Sequence, residues 1–350
     1  MREQIRAFEG GEMRGFKVGV VGATGLVGRE MLKILEQRNF PISTLRLFAS
    51  DRSVGRRMRV RGEEIVIEEA REDNFEGLDF VLLAVGSEIS RKLAPAAARA
   101  GAIVIDNSAA FRMDPEVPLV IPEVNPQDLE SHKGIIANPN CATIQLLVAL
   151  YPLHKVNRIK RIVVATYQSV SGWGAAAVEE LREQTRRILQ GEEELEPGVL
   201  PCQIGFNLFP QIDSFAEDDY TKEEWKMINE TRKILHDDSI LISATCVRVP
   251  VFVGHSEAVH VEFTNPITPQ EAREILSEAP GVAVVDEPEK GIYPHPRMAA
   301  GRDEVFVGRI RRDKALQNGL AMWVVSDNLR KGAALNAVQI AEILAGKEGR

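Results

Sequence analysis

The stretch Asn138-Pro139-Asn140-Cys141-Ala142-Thr143 holds the side chain best suited to covalent chemistry. A thiolate is the strongest nucleophile among the standard side chains near neutral pH. An apolar run, 134–137, precedes Cys141, and a helical pattern over 144–150, stopped by Pro152, follows it. Cys141 therefore belongs where the chain enters a helix. Unpaired N–H groups and the positive end of the helix dipole favour a sulfur anion there. The competing reading is a small apolar core residue. Such a nucleophile needs a proton carrier, and His is the usual one. Of the histidines at 132, 154, 236, 255, 260 and 295, His255 is the best placed. It follows Pro250-Val251-Phe252-Val253-Gly254 and opens a strand-like run, where a side chain can face a cleft. Arg248, on the strand before it, offers a planar fork to a carboxylate. Glu223 and Lys226 stand three apart on one helical face, which alone describes a solvated ion pair.

The first half of the chain reads as the frame for a nucleotide. A buried strand over 16–21 runs into Gly22-Ala23-Thr24-Gly25-Leu26-Val27-Gly28, and a helix with Leu26, Met31, Leu32 and Leu35 on one side follows. Glycines between a strand and a helix let a pyrophosphate approach the backbone at the helix N-terminus, although the spacing is G-x-x-G-x-x-G. The next strand, 44–49, ends in Ser50-Asp51-Arg52-Ser53. An arginine among hydroxyls suits a 2′-phosphate and hence NADP, while Asp51 keeps NAD open. A strand over 79–85 turns at Gly86-Ser87 into an Ala-rich helix, 88–100, closed by Gly101. A strand over 102–105 then leads to Asn107 and Arg112. This alternation predicts a doubly wound parallel sheet of Rossmann type, with ligands beyond the carboxyl ends of its strands. Arg112 at such an end is a reasonable anion ligand.

The texture changes after Pro152. A strand over 161–167 ends in Gln168-Ser169-Val170-Ser171-Gly172-Trp173-Gly174, followed by a helix over 175–189. Residues 202–215 are unusually apolar for an irregular segment, as core or as a subunit contact. A helix over 220–235 is followed by strand-like runs at 240–253, 257–263, 282–286, 304–313 and 319–326. The pattern predicts an α+β unit with a mixed sheet and helices on one face. A final helix over 329–344 should return to cover the first unit. The expected division is an extension, 1–14; an NADP-binding domain, 15–140, completed by 328–350; and a catalytic and dimerisation domain, 141–327. Tyr151 and Lys155 match a short-chain dehydrogenase pair in spacing, but a helix ending at Tyr151 would separate them.

Composition sets outer bounds. The length of 350 residues accommodates two domains. The net charge is −8 with no long basic run, which speaks against a nucleic-acid partner. Cys141, Cys202 and Cys246 are odd in number and lack a C-x-x-C, which disfavours disulfides and a cysteine metal site; no metal is expected. No apolar run approaches a membrane span, and residues 1–14 lack a signal-peptide core, so a cytoplasmic protein is expected. A thiol beside a nicotinamide cofactor implies hydride transfer to or from a thioester.

The sequence resembles the bacterial aspartate-semialdehyde dehydrogenases from about Phe16 onward. The matches are N-P-N-C-A-T around Cys141, Y-Q-S-V-S-G from Tyr167, E-E-W-K from Glu223, R-V-P-V-F-V-G-H-S-E from Arg248 and S-D-N-L-R-K-G-A-A around Asp327. The resemblance implies Cys141 as nucleophile, His255 as acid/base and Gln168 as the amide beside them. It implies Arg248 for the substrate α-carboxylate, Glu223 for its amino group, and Arg112 and Lys226, with Asn107, for phosphate. Thr24, Gly25, Leu26, Val27, Arg52, Ser53, Ser171, Gly172 and Asn328 would touch NADP, joining Gly22, Gly28, Ser50 and Gly86 from the strand ends. The implied reaction reduces L-4-aspartyl phosphate to L-aspartate 4-semialdehyde and phosphate, towards lysine, diaminopimelate, methionine and threonine, in a homodimer or a tetramer. The nearest rival is N-acetyl-γ-glutamyl-phosphate reductase, which needs no free carboxylate at Glu223. A non-catalytic nucleotide-binding homologue should have lost Cys141 or His255.

Overall fold

The computed structural model describes residues 15–192 and 194–348, so the expected extension 1–14 lies outside the described residues. The first sheet has seven strands: β1 (Phe16–Val21), β2 (Ile42–Ala49), β3 (Arg57–Val60), β4 (Glu63–Glu69), β5 (Phe80–Leu83), β6 (Ile103–Asp106) and β7 (Ile135–Ala137). Their order is β3-β4-β2-β1-β5-β6-β7. All neighbouring pairs are parallel except β3–β4. Strand β1 is central because Val18, Val20 and Val21 are fully buried, as both faces of a parallel sheet require. Helix α1 (Leu26–Gln37) covers one face through Met31, Leu32 and Leu35. Helix α2 (Ser87–Arg99) covers the other through Leu93, Ala94 and Ala97. The β3–β4 hairpin is absent from the sequence reading. Its charged, half-exposed alternation, Glu63-Glu64-Ile65-Val66-Ile67-Glu68-Glu69, is what a protected sheet edge demands, and it carries little core signal.

Helix α3 (Cys141–Val156) corrects the expected stop at Pro152, since it runs one turn beyond. A proline inside a helix costs about 3 kcal/mol. Leu146, Leu147, Leu150 and Leu153 are completely buried along α3, and each such side chain contributes roughly 1.5–3 kcal/mol. Burial therefore wins. The helix is apolar all round because it is enclosed by the second sheet and by other helices. Tyr151 and Lys155 consequently do share a helical face, with the Lys155 Nζ 5.2 Å from the Tyr151 ring centre. What removes them from the chemistry is position. They lie at the opposite end of α3 from Cys141, about 15 Å along it.

The second sheet contains β8 (Ile159–Gln168), β9 (Leu241–Arg248), β10 (His255–Phe263), β11 (Val282–Val284), β12 (Val305–Arg312) and β13 (Gly319–Ser326), in the order β11-β12-β13-β10-β8-β9. Parallel and antiparallel pairs are mixed. Helix α4 (Ala175–Leu189) forms a small core with Leu200, Ile204 and Phe209. Segment 202–215 is thus partly core, while Phe206 and Leu208 stay exposed. Helices α5 (Lys222–Leu235) and α6 (Pro269–Ser277) join α3 on one face of the sheet. The opposite face leaves Val163 and Leu241 exposed. After the single turn α7 (Pro296–Ala299) and a π-helical turn at Arg330–Ala334, helix α8 (Leu335–Glu348) packs on α1 and the first sheet.

Candidate active site

Asn140 caps α3, its Oδ1 accepting from the backbone N–H of Ala142 at 2.9 Å and of Thr143 at 3.3 Å. This cap places Cys141 at the first helical position, on the wall of a cavity of ≈ 460 Å³. Gln168, at the end of β8, and Arg248, at the end of β9, reach the same cavity because the two strands pair in parallel with these residues in register. Helix α5 brings Glu223 and Lys226, and the loop after β6 brings Asn107 and Arg112.

Glu223 is the hub. Its Oε1 accepts from Asn140 Nδ2 at 2.8 Å and Gln168 Nε2 at 3.1 Å, and its Oε2 accepts from Lys226 Nζ at 3.0 Å. Burial alone would raise this carboxyl, but Lys226 and the two amides outweigh it and bring it down to about 2. Lys226 is held above its ordinary value because Glu223 and Asp213 more than offset its own burial. Arg112 donates to Glu230 Oε1 at 3.0 Å, to the Asn138 carbonyl at 2.9 Å and to the Asn107 carbonyl at 2.8 Å. Both ends of the Asn107 amide are engaged, with Leu83 and Asn138. Asn107 therefore braces Arg112.

Cys141 departs from expectation in charge state. Burial, reinforced by Glu223, pushes the thiol up to about 12, against the opposing pull of Arg112, Arg248 and the Ala142 N–H. The helix terminus does not outweigh desolvation in the ligand-free pocket. His255 is buried directly behind Gly172: its Nε2 would lie 3.3 Å from a Cβ at that glycine, as would Arg248 Nη1. Among the described residues no hydrogen bond joins Cys141 to His255, although Arg248 and Glu223 act on both. Burial and then Arg248 bring the imidazole down to about 3, so it is neutral. Arg248 is anchored by the Ser169 carbonyl at 2.6 Å, and its own burial lowers it. Asn328 ties this wall together, its Oδ1 accepting from Ser169, Ser171 and the Gly254 N–H.

A second cleft of ≈ 820 Å³ is lined by Gly22, Thr24, Gly25, Ser50, Asp51, Arg52 and Gly86. Val85 and Gly86 belong to both cavities, and Val27 lines the first, so the two meet there. A Cβ at Gly22, whose φ is +81°, would lie 2.3 Å from the Ala84 carbonyl, and one at Gly28 would lie 2.2 Å from the Gly22 carbonyl. Those two glycines allow close strand–helix packing, while space beside Gly86 is open. The donor set at α1 and the long cleft fit a dinucleotide. Leu26, Gly28 and Ser53 do not line either cavity. Asp51 accepts the Arg52 N–H at 2.8 Å and so serves its own turn.

Residues 17–132 match the family described as semialdehyde dehydrogenase, NAD binding domain, and residues 150–331 the family described as semialdehyde dehydrogenase, dimerisation domain. The chain belongs to the semialdehyde dehydrogenases. It is 56% identical to the aspartate-semialdehyde dehydrogenase of Aquifex aeolicus over 338 residues, 96% of this chain and 99% of the relative. Identity to the Bacillus subtilis enzyme of that name is 51% over 339 residues, 95% and 98% of the two chains. The crystal structure of aspartate semialdehyde dehydrogenase II from Vibrio cholerae complexed with ASA superposes with a TM-score of 0.92 at 47% identity, covering 95% of this chain and 98% of that one. The Candida albicans aspartate semialdehyde dehydrogenase with NADP gives 0.76 at 27% identity, covering 96% and 100%.

In this semialdehyde dehydrogenase the expected fold class stands, a doubly wound sheet with a mixed-sheet partner. Sequence reasoning missed Glu230, which accepts from Arg112 and, at 2.7 Å, from the Asn140 N–H. The spacing of 223, 226 and 230 on one helical face could have revealed it. It also missed Asp213 on Lys226 and Gly332 against Cys141, for which no periodicity exists. Among the described residues no group of His, Cys, Asp and Glu could hold a metal, and no helix is long and apolar enough to cross a membrane.

Proposed function

We propose that this chain catalyses the reversible, NADP-dependent reductive dephosphorylation of L-4-aspartyl phosphate to L-aspartate 4-semialdehyde, on the route to lysine, diaminopimelate, methionine and threonine. The observation that carries the reading is Glu223, a buried carboxylate that orders Asn140, Gln168 and Lys226 at the start of the Cys141 helix. It suits a substrate ammonium group; an acylated amine would leave this carboxylate facing a neutral amide. Arg248 takes the α-carboxylate, and Lys226 with Arg112 takes the phosphate. We assign Asn107 to holding Arg112 and the amide of Gln168 to orienting the acyl carbon.

The Cys141 sulfur attacks the acyl carbon, the C–O bond to phosphate breaks, and the S–H proton leaves with the phosphate. When bound, the dinucleotide supplies hydride to the acyl carbon. His255, with its Nε2 beside Gly172 on the cavity wall, hydrogen-bonds the oxygen that gains charge and exchanges a proton with it. Collapse of the thiohemiacetal releases the aldehyde and restores the Cys141 thiol. With the Ala142 and Thr143 N–H groups taken by the Asn140 cap, the Cys141 N–H at the start of α3 is the backbone oxyanion donor. Arg52 and Ser50 face the cofactor cleft and suit a 2′-phosphate, with Ser53 supporting their turn. Residues 15–140 with 328–350 form the proposed cofactor domain and 141–327 the catalytic and dimerisation domain. The half-exposed face of the second sheet, bearing Val163 and Leu241, supports a homodimer. We place the enzyme in the cytoplasm. The decisive assay is phosphate-dependent reduction of NADP or NAD by aspartate semialdehyde and by N-acetylglutamate semialdehyde. Turnover confined to the first aldehyde, with NADP preferred, is expected; preference for the second would reverse the assignment.

A further inference from the structure

The anion end of the catalytic cavity lacks the charge that a phosphate dianion needs. Lys226 is held by both Glu223 and Asp213 and Arg112 by Glu230, while Arg248, the third cation of the cavity, is assigned to the α-carboxylate. One carboxylate has to leave before an anion gains from the site. Glu223 and Glu230 are buried on α5 and each holds Asn140. Asp213 differs. It lies in an irregular segment, its side chain is 38% exposed, and its Oδ2 sits 2.9 Å from Lys226 Nζ. Among the described residues its other oxygen accepts only from the adjacent Ser214 N–H, at 2.8 Å. Its φ of +69° is left-handed, a conformation Asp tolerates at some cost.

We infer that the Asp213 carboxylate is a stand-in for phosphate on Lys226, displaced when phosphate or an acyl phosphate enters the cavity. The inference rests on the assignment of Lys226 to phosphate made above. Asp213 is a positioning residue that acts through Lys226. Its departure leaves the Lys226 charge shared with Glu223 alone and open to the cavity, and lets its own backbone leave the left-handed region. Loop 211–215 is thereby linked to phosphate occupancy.

The test is steady-state kinetics in the phosphate-consuming direction with the full chain. Asp213→Asn keeps shape and tolerance of a positive φ but removes the charge. Its KM for phosphate should fall about fivefold or more, while the KM for the aldehyde moves far less. Asp213→Gly should do the same, should Asn destabilise the loop. Protection of Cys141 from iodoacetamide by inorganic phosphate, without cofactor, should reach its midpoint at correspondingly lower phosphate in either variant. A phosphate KM that is unchanged or raised in both variants makes Asp213 a prop for Lys226 and overturns the inference. Lys226→Ala separates the two layers: if it leaves the phosphate KM unaltered, the phosphate assignment itself fails and the inference with it.

Discussion

The Ser169 backbone N–H donates to His255 Nδ1 at 3.1 Å. A backbone N–H can only donate, so Nδ1 presents its lone pair and the proton of the neutral ring resides on Nε2. Among the described residues that Nε2 has no hydrogen-bond partner, and it is buried behind Gly172. Desolvation and Arg248 hold the ring at about 3 in the ligand-free protein. A substrate carboxylate bound to Arg248 as proposed would cancel part of that repulsion and raise the ring's proton affinity.

Two outcomes follow for His255. Replacement by Ala should lower kcat about 100-fold or more, with Gln, which keeps a donor, intermediate. For stability, an unfolded His titrates near 6.5 and the folded one at about 3. The unfolded chain therefore binds the extra proton between those values, and the contribution of the neutral ring, complete above 6.5, is lost as pH falls through that window. Urea titrations from pH 7 to pH 4 should show a shallower loss in His255→Asn. Equal slopes in the two proteins would contradict a buried neutral imidazole.

Cys141 gives the opposite signature. Burial, with Glu223, pushes the folded thiol up to about 12, above the ordinary cysteine range. In ligand-free protein its alkylation by iodoacetamide should climb steadily from pH 7 to pH 10, without a plateau. A plateau reached by pH 7 would show a preformed thiolate and reinstate the helix terminus as the dominant influence. Cys141→Ala should abolish turnover while NADP still binds, a result checked by fluorescence titration.

How much could be read beforehand divides along physical lines. β1, α1 and α2 were legible because a buried strand, a glycine turn and a one-sided helix each have a period. Cys141 and Arg248 were legible as chemistry, Glu223 alone only as half of a solvated ion pair, and the roles assigned to all three came from the resemblance that several motifs carry together. The β3–β4 hairpin was not, since an edge needs charge where a core strand needs Val and Ile. Pro152 misled because local preference was weighed without the burial of α3. The raised Cys141 thiol was invisible for a similar reason: a dipole can be read from helix position, but burial under neighbours such as Gly332 and the Glu223 charge brought in by α5 cannot. Asp213 and Glu230 are acids in an acidic chain until the fold places them against Lys226 and Arg112.

Glu230 is the case where removal should cost most. Its two oxygens satisfy Arg112 and the Asn140 N–H, and all three groups are buried. Truncation to Ala leaves a guanidinium partly unpaired and loosens the cap on α3, a loss of about 3–5 kcal/mol. Glu230→Gln should retain more than half of that, because Oε1 can still accept from Arg112. Thermal and urea unfolding decide the matter. Equal stabilities for Ala and wild type would mean that solvent already serves Arg112.

Gly172 should tolerate no side chain without cost to catalysis. A Cβ there would meet Arg248 Nη1 and His255 Nε2, each at 3.3 Å, tighter than ordinary packing. The backbone needs no left-handed freedom at this position, so folding is spared. Gly172→Ala should reduce kcat about tenfold or more through misplacement of the imidazole and the guanidinium, with a melting temperature close to wild type. A fully active variant would show that the Gly172 wall is not the path between His255 and the cavity.

Gly332 couples the C-terminal segment to the nucleophile. It lies in the π-helical turn before α8, and a Cβ there would fall 2.9 Å from the Cys141 Cβ and 3.4 Å from its Cα. Neither atom is the end of a flexible chain, so backbone must shift. Gly332→Ala should cost about 1–3 kcal/mol from overpacking and should lower kcat more than it raises the KM for aldehyde, because the displaced Cβ carries the sulfur proposed to form the covalent bond. Comparing kcat, KM and iodoacetamide reactivity between Gly332→Ala and wild type separates displacement of sulfur from general destabilisation. If stability falls but Cys141 reacts and turns over at the wild-type rate, the π-turn yields instead of α3, and the contact has no part in holding the sulfur.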